Sequence, residues 1–405
     1  MRIPLLLIVV CLCLVESIKL TSDEKGEDNS FPFEKCCDFA FRLYKTIARK
    51  FIGNIALTPY SAFDSLSLLY YGAGGNTAKQ IRQVLNINSN DLSNYQSLTN
   101  SFTNSKDPSL NFIQVLYVPD KMDVAPAFKE LSNTTFITQQ ESLNLDKPEE
   151  AISIINKYFA ERNVKRDLPF ESDTFLPQQS DMFIRNSIHF IAQFLYPFNE
   201  RYTEQRYFYR SRNSEKLVPT MFTRGRFRGI VIPPTNRYLD SFRIIEIPYK
   251  NREYSMLIYY PLNSHKLVEL EQRLDTLDLR AIFNSREEDI ELYLPKFTIQ
   301  NEHRLKLTLT EMGITDAFNE QADFTAISKK PVRLDEIYMR TYFSLNENGI
   351  NIEVSNNVGG HPQYVTALPY SKPLTIEVNR PFMFTVVKKR RDDFLCLFNG
   401  RVYNP

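Results

Sequence analysis

Along the first half of the chain the apolar residues fall mainly at helical spacing. Ala62-Phe63, Leu66 and Leu69-Tyr70 share one helical face, and Ile152, Ile155 and Phe159 share another. Between them, Asn111 to Val118 is a short apolar run that predicts a buried strand. From about residue 181 the pattern changes to extended segments: Phe183-Ile184 and Ile188, Phe242 to Ile247, Tyr254 to Tyr260, and Asp289 to Pro295. Helices are expected at Leu267 to Leu277 and near Glu302 to Met312. Helices first and strands later predict an α+β domain. Residues 18–32 are charged and polar, and predict a frayed start.

The last 60 residues hold the most informative pattern. Leu345-Asn346-Glu347-Asn348-Gly349 is a polar turn after a strand. A long segment without helical periodicity follows. Two or three apolar strands, around Arg380-Pro381-Phe382 and Phe394 to Phe398, then close the chain. A long irregular segment tethered between strands is usually functional or disordered. Gly349 to Lys372 is therefore expected as an exposed loop.

Composition narrows the class. Length alone suggests two or three domains. Yet no Gly/Ser-rich or Pro-rich linker divides the chain, so residues 18–405 are expected as one large domain. With 43% hydrophobic residues and 30 Phe, a sizeable core is available. The formal net charge of +1 gives no global field for nucleic acid or a membrane surface. Lys388-Lys389-Arg390-Arg391 is a basic cluster between two apolar runs, which predicts a solvated hairpin turn rather than a polyanion site.

Arg2, the apolar run Ile3 to Val15 and the small residue Ser17 predict a secretory signal peptide over residues 1–17. The mature chain is thus expected to be secreted and extracellular. Cys11 and Cys13 leave with the signal, and Cys36, Cys37 and Cys396 remain. An odd count excludes a fully paired framework, and neighbouring cysteines sit too close to bond each other. Cys396 is expected as a buried small hydrophobe. Cys36 and Cys37 are read as passive thiols, with a redox or intermolecular role as the alternative. Asn133-Thr134-Thr135 is a glycosylation acceptor.

Catalytic chemistry has little to stand on. Only four histidines occur: His189, His265, His303 and His361. His189 fits a packed strand residue, and none has a partner at metal-ligand or triad spacing. No His-Glu-x-x-His, Cys-x-x-Cys or Gly-x-Ser-x-Gly element is present. Gly72-Ala73-Gly74-Gly75 lacks the Gly-Lys-Ser/Thr ending of a phosphate loop and follows a helix. No enzyme, cofactor or metal is indicated.

The ordered motifs resemble those of the serpin family over nearly the whole mature chain. Asp38 to Lys45 is similar to its first helix, and Asn54 to Ser61 to the entry of its second. Gly72-Ala73-Gly74-Gly75-Asn76-Thr77 is similar to the Gly-Ala-x-Gly-x-Thr turn. Asn186-Ser187-Ile188-His189-Phe190 with Pro197-Phe198 resembles the Asn-Ala-Ile-Tyr-Phe block. Glu246 to Lys250, Ser255 to Ile258, Leu294 to Phe297, Gly313 to Phe318 and Ala322 to Phe324 follow in family order. Leu397-Phe398-Asn399-Gly400-Arg401-Val402-Tyr403-Asn404-Pro405 resembles the family's terminus.

The resemblance implies a serpin fold with a large central sheet, about eight or nine helices and a reactive loop over about 349–372. It implies a monomer whose partner is an extracellular serine protease. The protease cleaves the loop, and the freed arm then inserts as a new strand and carries the acylated enzyme with it. The implied hinge is Glu347, Asn348, Gly349, Ile350, Asn351, Ile352, Glu353 and Val354. Family spacing places the scissile bond at Gln363-Tyr364. The loop is longer than the family norm, which also opens Tyr364-Val365 and Tyr370-Ser371. The segment has no Arg, and its Lys372 precedes Pro373, so a chymotrypsin-like target is favoured over a trypsin-like one.

Two departures from the family pattern bear on mechanism. The hinge lacks the usual run of small residues, and Ile350, Ile352 and Val354 alternate with polar neighbours. Overpacking at such a step costs about 1–3 kcal/mol, and about 1.4 kcal/mol is tenfold in rate. Slowed insertion would convert an inhibitor into a substrate, so the first reading is a serine-protease inhibitor or a decoy cleaved in its exposed loop. A non-inhibitory binding, carrier or storage role is therefore the alternative. The chain also has no Trp; Phe194 and Tyr158 stand where the family usually carries that residue.

Overall fold

The structure is a computed structural model. It describes residues 33–405 apart from 104–109, 137, 163–180, 235–239, 263–266, 351–371 and 391–392. The expected signal peptide and frayed start lie outside the described residues. Residues 32–405 cluster as one compact unit.

In chain order the elements are α1 (Phe33–Ala48), β1 (Ile55–Leu57), α2 (Pro59–Gly72), α3 (Gly75–Leu85), α4 (Leu92–Thr103), β2 (Leu110–Pro119), α5 (Pro126–Thr134), β3 (Thr138–Leu143), α6 (Pro148–Glu161), β4 (Met182–Phe190) and β5 (Ala192–Gln193). They continue with β6 (Glu204–Ser211), β7 (Ser214–Ile232), β8 (Phe242–Pro248), β9 (Tyr254–Pro261), α7 (Val268–Arg273), α8 (Arg280–Phe283), β10 (Glu287–Pro295), β11 (Phe297–Arg304), α9 (Lys306–Met312), β12 (Leu334–Asn346), β13 (Gly349–Ile350), β14 (Leu374–Glu377), β15 (Phe382–Arg390) and β16 (Asp393–Val402). The described residues thus hold nine α-helices and two large mixed sheets, an α+β architecture.

One sheet runs β3-β2-β4-β12-β13-β5, with β11 on the other edge of β12. The second runs β1-β16-β15-β9-β8-β7-β10-β14, with β6 paired to β7. Helix α6 forms where three apolar positions recur at helical spacing, and Pro148 with the two acids Glu149 and Glu150 opens it favourably. Its Ile152, Ile155 and Phe159 pack on Val115, Tyr117 and Phe183 of the first sheet, as the periodicity predicts. Helix α2 is buried on nearly every face. Two of its residues are tied to β4: Asn186 Nδ2 donates to Ser65 Oγ at 3.0 Å and to the Ser61 carbonyl at 3.3 Å.

Some expectations need correction. Glu302 belongs to β11, and the helix starts only at Lys306. The reason is pairing: Glu302 to Arg304 lie in register with Arg340 to Tyr338 of β12. Cys37 is not a passive thiol, and Cys396, although buried as expected, is not a lone small hydrophobe: the two are disulfide-bonded, with Cα atoms 5.3 Å apart. Adjacent helical positions point about 100° apart, so Cys37 of α1 meets β16 while Cys36 turns into the core. Cys36 is free and buried, and burial pushes its thiol well up. The basic cluster does end a hairpin, that of β15 and β16, but its first members are not simply solvated. Lys388 is buried beside Glu253 and over the Phe102 ring at 4.5 Å, and Lys389 meets Glu246 at 2.6 Å.

Candidate functional site at the hinge

The site is built where β12 leaves its sheet. Below, β12 pairs in parallel with β4 from Leu334↔Met182 to Arg340↔Ser187. Above that point β4 and β12 diverge. The chain turns at Glu347-Asn348 and returns as β13, which lies between β12 and β5. Ile350 pairs with Leu345 on one side and Ala192 on the other, and Gly349 pairs with Asn346 and Gln193. The hinge therefore fills the mouth of a cleft in its own sheet.

This corrects the expected start of the exposed loop. Gly349 and Ile350 are buried strand residues, and Ile350 has no exposed surface. The apolar side chain is withdrawn from water, and its backbone replaces solvent along an otherwise open strand edge. Asn351, Ile352, Glu353 and Val354 lie outside the described residues. So do the scissile candidates Gln363, Tyr364, Val365, Tyr370 and Ser371. Lys372, where the description resumes, is exposed.

Four groups hold the turn. Asn346 Oδ1 accepts from the backbone N–H of Asn348 at 3.0 Å and of Gly349 at 3.3 Å. The Phe198 N–H donates to the Glu347 carbonyl at 3.1 Å, and the Phe194 N–H to that of Asn348 at 3.3 Å. The Glu347 carboxylate is buried, where it accepts from Thr203 Oγ1 at 2.8 Å and faces Lys296 Nζ at 2.8 Å. Burial alone would raise this carboxyl. The Lys296 and Thr203 contacts outweigh it and hold the group below its usual range.

Gly349 is required for geometric reasons. Its φ is +146°, a region open to glycine and not to residues with a Cβ. A Cβ there would also stand 2.8 Å from the Ala192 carbonyl carbon and closer still to its oxygen, both backbone atoms that cannot swing away. Phe194 stacks on Tyr249 with ring centroids 5.1 Å apart and planes at 11°, which keeps the aromatic bulk of the usual Trp. Tyr158 is half-buried on α6 with the Arg162 guanidinium over its ring at 3.3 Å.

Sequence reasoning missed Lys296 and Thr203. Lys296 stands in the quoted Leu-Pro-Lys-Phe block, but nothing local pairs it with Glu347, 51 residues away. The other candidates are dispersed. His303 is buried on β11, where burial lowers it to about 4. His189 lies on β4 opposite Asn111, and His265 and His361 fall outside the described residues. Among the described residues no cluster of three or more His, Cys, Asp or Glu is placed to hold a metal. Asn133 is exposed in the last turn of α5. Among the described residues no helix is long and apolar enough to cross a membrane.

The model for Serpin (serine protease inhibitor) matches residues 34–405. The chain belongs to the serpin family. It is 26% identical to neuroserpin of Gallus gallus over 397 residues, covering 95% of each chain. Serpin48 of the insect Tenebrio molitor superposes with a TM-score of 0.79 at 23% identity, covering 94% of this chain and 99% of that one. Thyroxine-binding globulin in complex with thyroxine superposes at 0.76 with 22% identity, covering 92% and 98%. The serpin fold is thereby shown.

Proposed function

We propose that this serpin is a secreted, monomeric, Asn133-glycosylated inhibitor of extracellular chymotrypsin-like serine proteases that works by loop insertion and performs no catalysis of its own. The observation that carries the reading is the seat of Ile350. The hinge lacks small residues, yet its first bulky side chain already fits between β12 and β5. The first insertion step therefore needs no overpacking.

Register extends the reading. Ile350 stands opposite Leu345, so an antiparallel continuation sets Asn351 to Val354 opposite Ser344 to Thr341. Alternation puts Ile352 and Val354 on the face that buries Ile350. Ser355 would then meet Arg340, which is already paired to Ser187. Four more residues can enter the cleft before β4 and β12 must part. Deeper insertion has to unzip that parallel ladder. Parallel pairing is slightly weaker per residue than antiparallel, so this is the ladder best suited to opening.

The absence of Arg from the segment and its Tyr364 and Tyr370 favour cleavage after an aromatic. Incubation with chymotrypsin, elastase and trypsin tests the proposal. A chymotrypsin complex that survives denaturing gels is the expected result. Clean cleavage without complex, with an unchanged melting temperature, would overturn it in favour of a decoy, binding or carrier role.

A further inference from the structure

We infer that this chain carries a second, independent site, a cavity for an amphipathic organic anion between α1, α7 and the end of β16. The cavity is about 700 Å³, within the range of small-molecule sites. It shares no lining residue with the hinge. Its mouth gathers three large apolar side chains that the fold leaves in water: Ile52 is 97% exposed, Val268 53% and Phe51 38%. Scattered exposed apolar residues are ordinary, but their convergence on one concavity marks a binding surface.

Charge sets the ligand class. Four cations line the cavity, Lys45, Arg49, Arg210 and Arg401, against one carboxylate, Glu271. That carboxylate is already committed: it accepts from Arg401 at 2.8 Å and from the Tyr44 hydroxyl at 2.7 Å. Arg401 is committed too, since it also donates to the backbone carbonyls of Gly53 and Phe51. It thereby fixes the segment that presents Phe51 and Ile52. Among the described residues Arg49 and Arg210 are held in no ion pair. The chain as a whole carries only +1, so the positive lining is local. The occupant that matches is an apolar body bearing one acidic group, with its body on Ile52, Val268 and Phe51 and its head toward Arg49 and Arg210.

The probe is 8-anilinonaphthalene-1-sulfonate, titrated into the intact native protein, with dodecanoate and dodecan-1-ol as competitors. One saturable site is expected, from which dodecanoate displaces the dye at least about tenfold more effectively than the neutral alcohol. Ile52→Asp and Val268→Asp, at exposed positions and with unchanged far-UV circular dichroism, should each weaken binding about tenfold. Arg49→Glu should weaken dodecanoate several-fold and leave dodecan-1-ol unchanged. Loop cleavage by chymotrypsin should be the same in all variants, which separates this site from the hinge. Non-saturable dye binding would overturn the inference. So would affinity unchanged in both aspartate variants, or equal displacement by acid and alcohol.

Discussion

Gly349→Ala is the sharpest test of the hinge seat. The seat buries Ile350 completely, which is worth about 1.5–3 kcal/mol. It also supplies acceptors to the Phe194 and Phe198 amides, worth about 0.5–1.5 kcal/mol net each. Ordering Gly349 and Ile350 opposes this by about 1–2 kcal/mol per residue. The midpoints leave the seat favoured by about 1 kcal/mol, a preference of about five- to tenfold. A Cβ on residue 349 would meet the Ala192 backbone and would also force a non-glycine residue to φ +146°, so it removes the seat. Hydrogen exchange is the assay: protection of the Phe194 and Phe198 amides should fall about five- to tenfold. The same variant should be cleaved faster by chymotrypsin and should trap less of it, because the cleaved arm must pass the same point. Unchanged protection of both amides would show that β13 does not hold the hinge, and the proposed insertion path would fail with it.

Lys296→Ala leaves the buried Glu347 carboxylate without its cation and should loosen the hinge, read as faster proteolysis within residues 351–371; an unchanged cutting rate refutes the anchor. Because the Glu347 carboxyl is held below its usual range, its contribution is complete above about pH 5 and lost only as pH falls through the lowered value. Hinge protection should accordingly drop below about pH 4, whereas a flat profile from pH 7 to pH 3 argues against the ion pair. Reduction of the Cys37–Cys396 disulfide, or Cys37→Ser, should lower the thermal midpoint, by about 2–4 kcal/mol of stability; no shift would deny it a structural role. Asp64 and His303 should act in opposite directions between pH 4 and 6.5. Burial lifts Asp64 to about 7, so stability falls as pH rises toward it, while burial lowers His303 to about 4, so stability is lost as pH drops below 6.5. Asp64→Asn should therefore leave a thermal midpoint that climbs with pH across this window, and a midpoint that still declines would contradict the reading.

Helix α6, strands β4, β8, β9, β10 and the terminal hairpin were legible because their apolar residues sit at one clear period and face one core. The long hairpin of β6 and β7 was not. Its β7 face alternates Arg224, Arg226 and Arg228, which disguises a strand as a polar stretch. Only the fold shows that Asp289, Glu287 and Glu246 lie opposite these arginines and neutralise them. The Cys37 pairing failed for a related reason: a parity rule counts thiols, whereas helical rotation decides which of two neighbours reaches β16. At the hinge, Glu347, Gly349 and Ile350 were named from local pattern, while Lys296 and Thr203 were invisible because their contact with Glu347 spans 51 and 144 residues.

The hinge also shows why side-chain bulk is a poor guide by itself. Ile350 looked obstructive as a residue entering a closed ladder, yet the ladder is not closed at that level. Strands β4 and β12 separate above Ser187↔Arg340, and an isoleucine is what fills the gap. The obstacle thereby moves down the sheet to the remaining pairs between Leu334 and Arg340. There Asn186 and its bonds to Ser61 and Ser65 pin β4 to α2. Small residues matter where a sheet must be prised apart, and bulky β-branched ones are favoured where it already stands open. A protein whose arm carries Ile350, Ile352 and Val354 gains apolar burial with every second residue inserted. That gain offsets the cost of the unzipping it must drive, so under the proposed insertion mechanism the balance between trapping and simple cleavage would be set at the β4·β12 ladder rather than at the hinge.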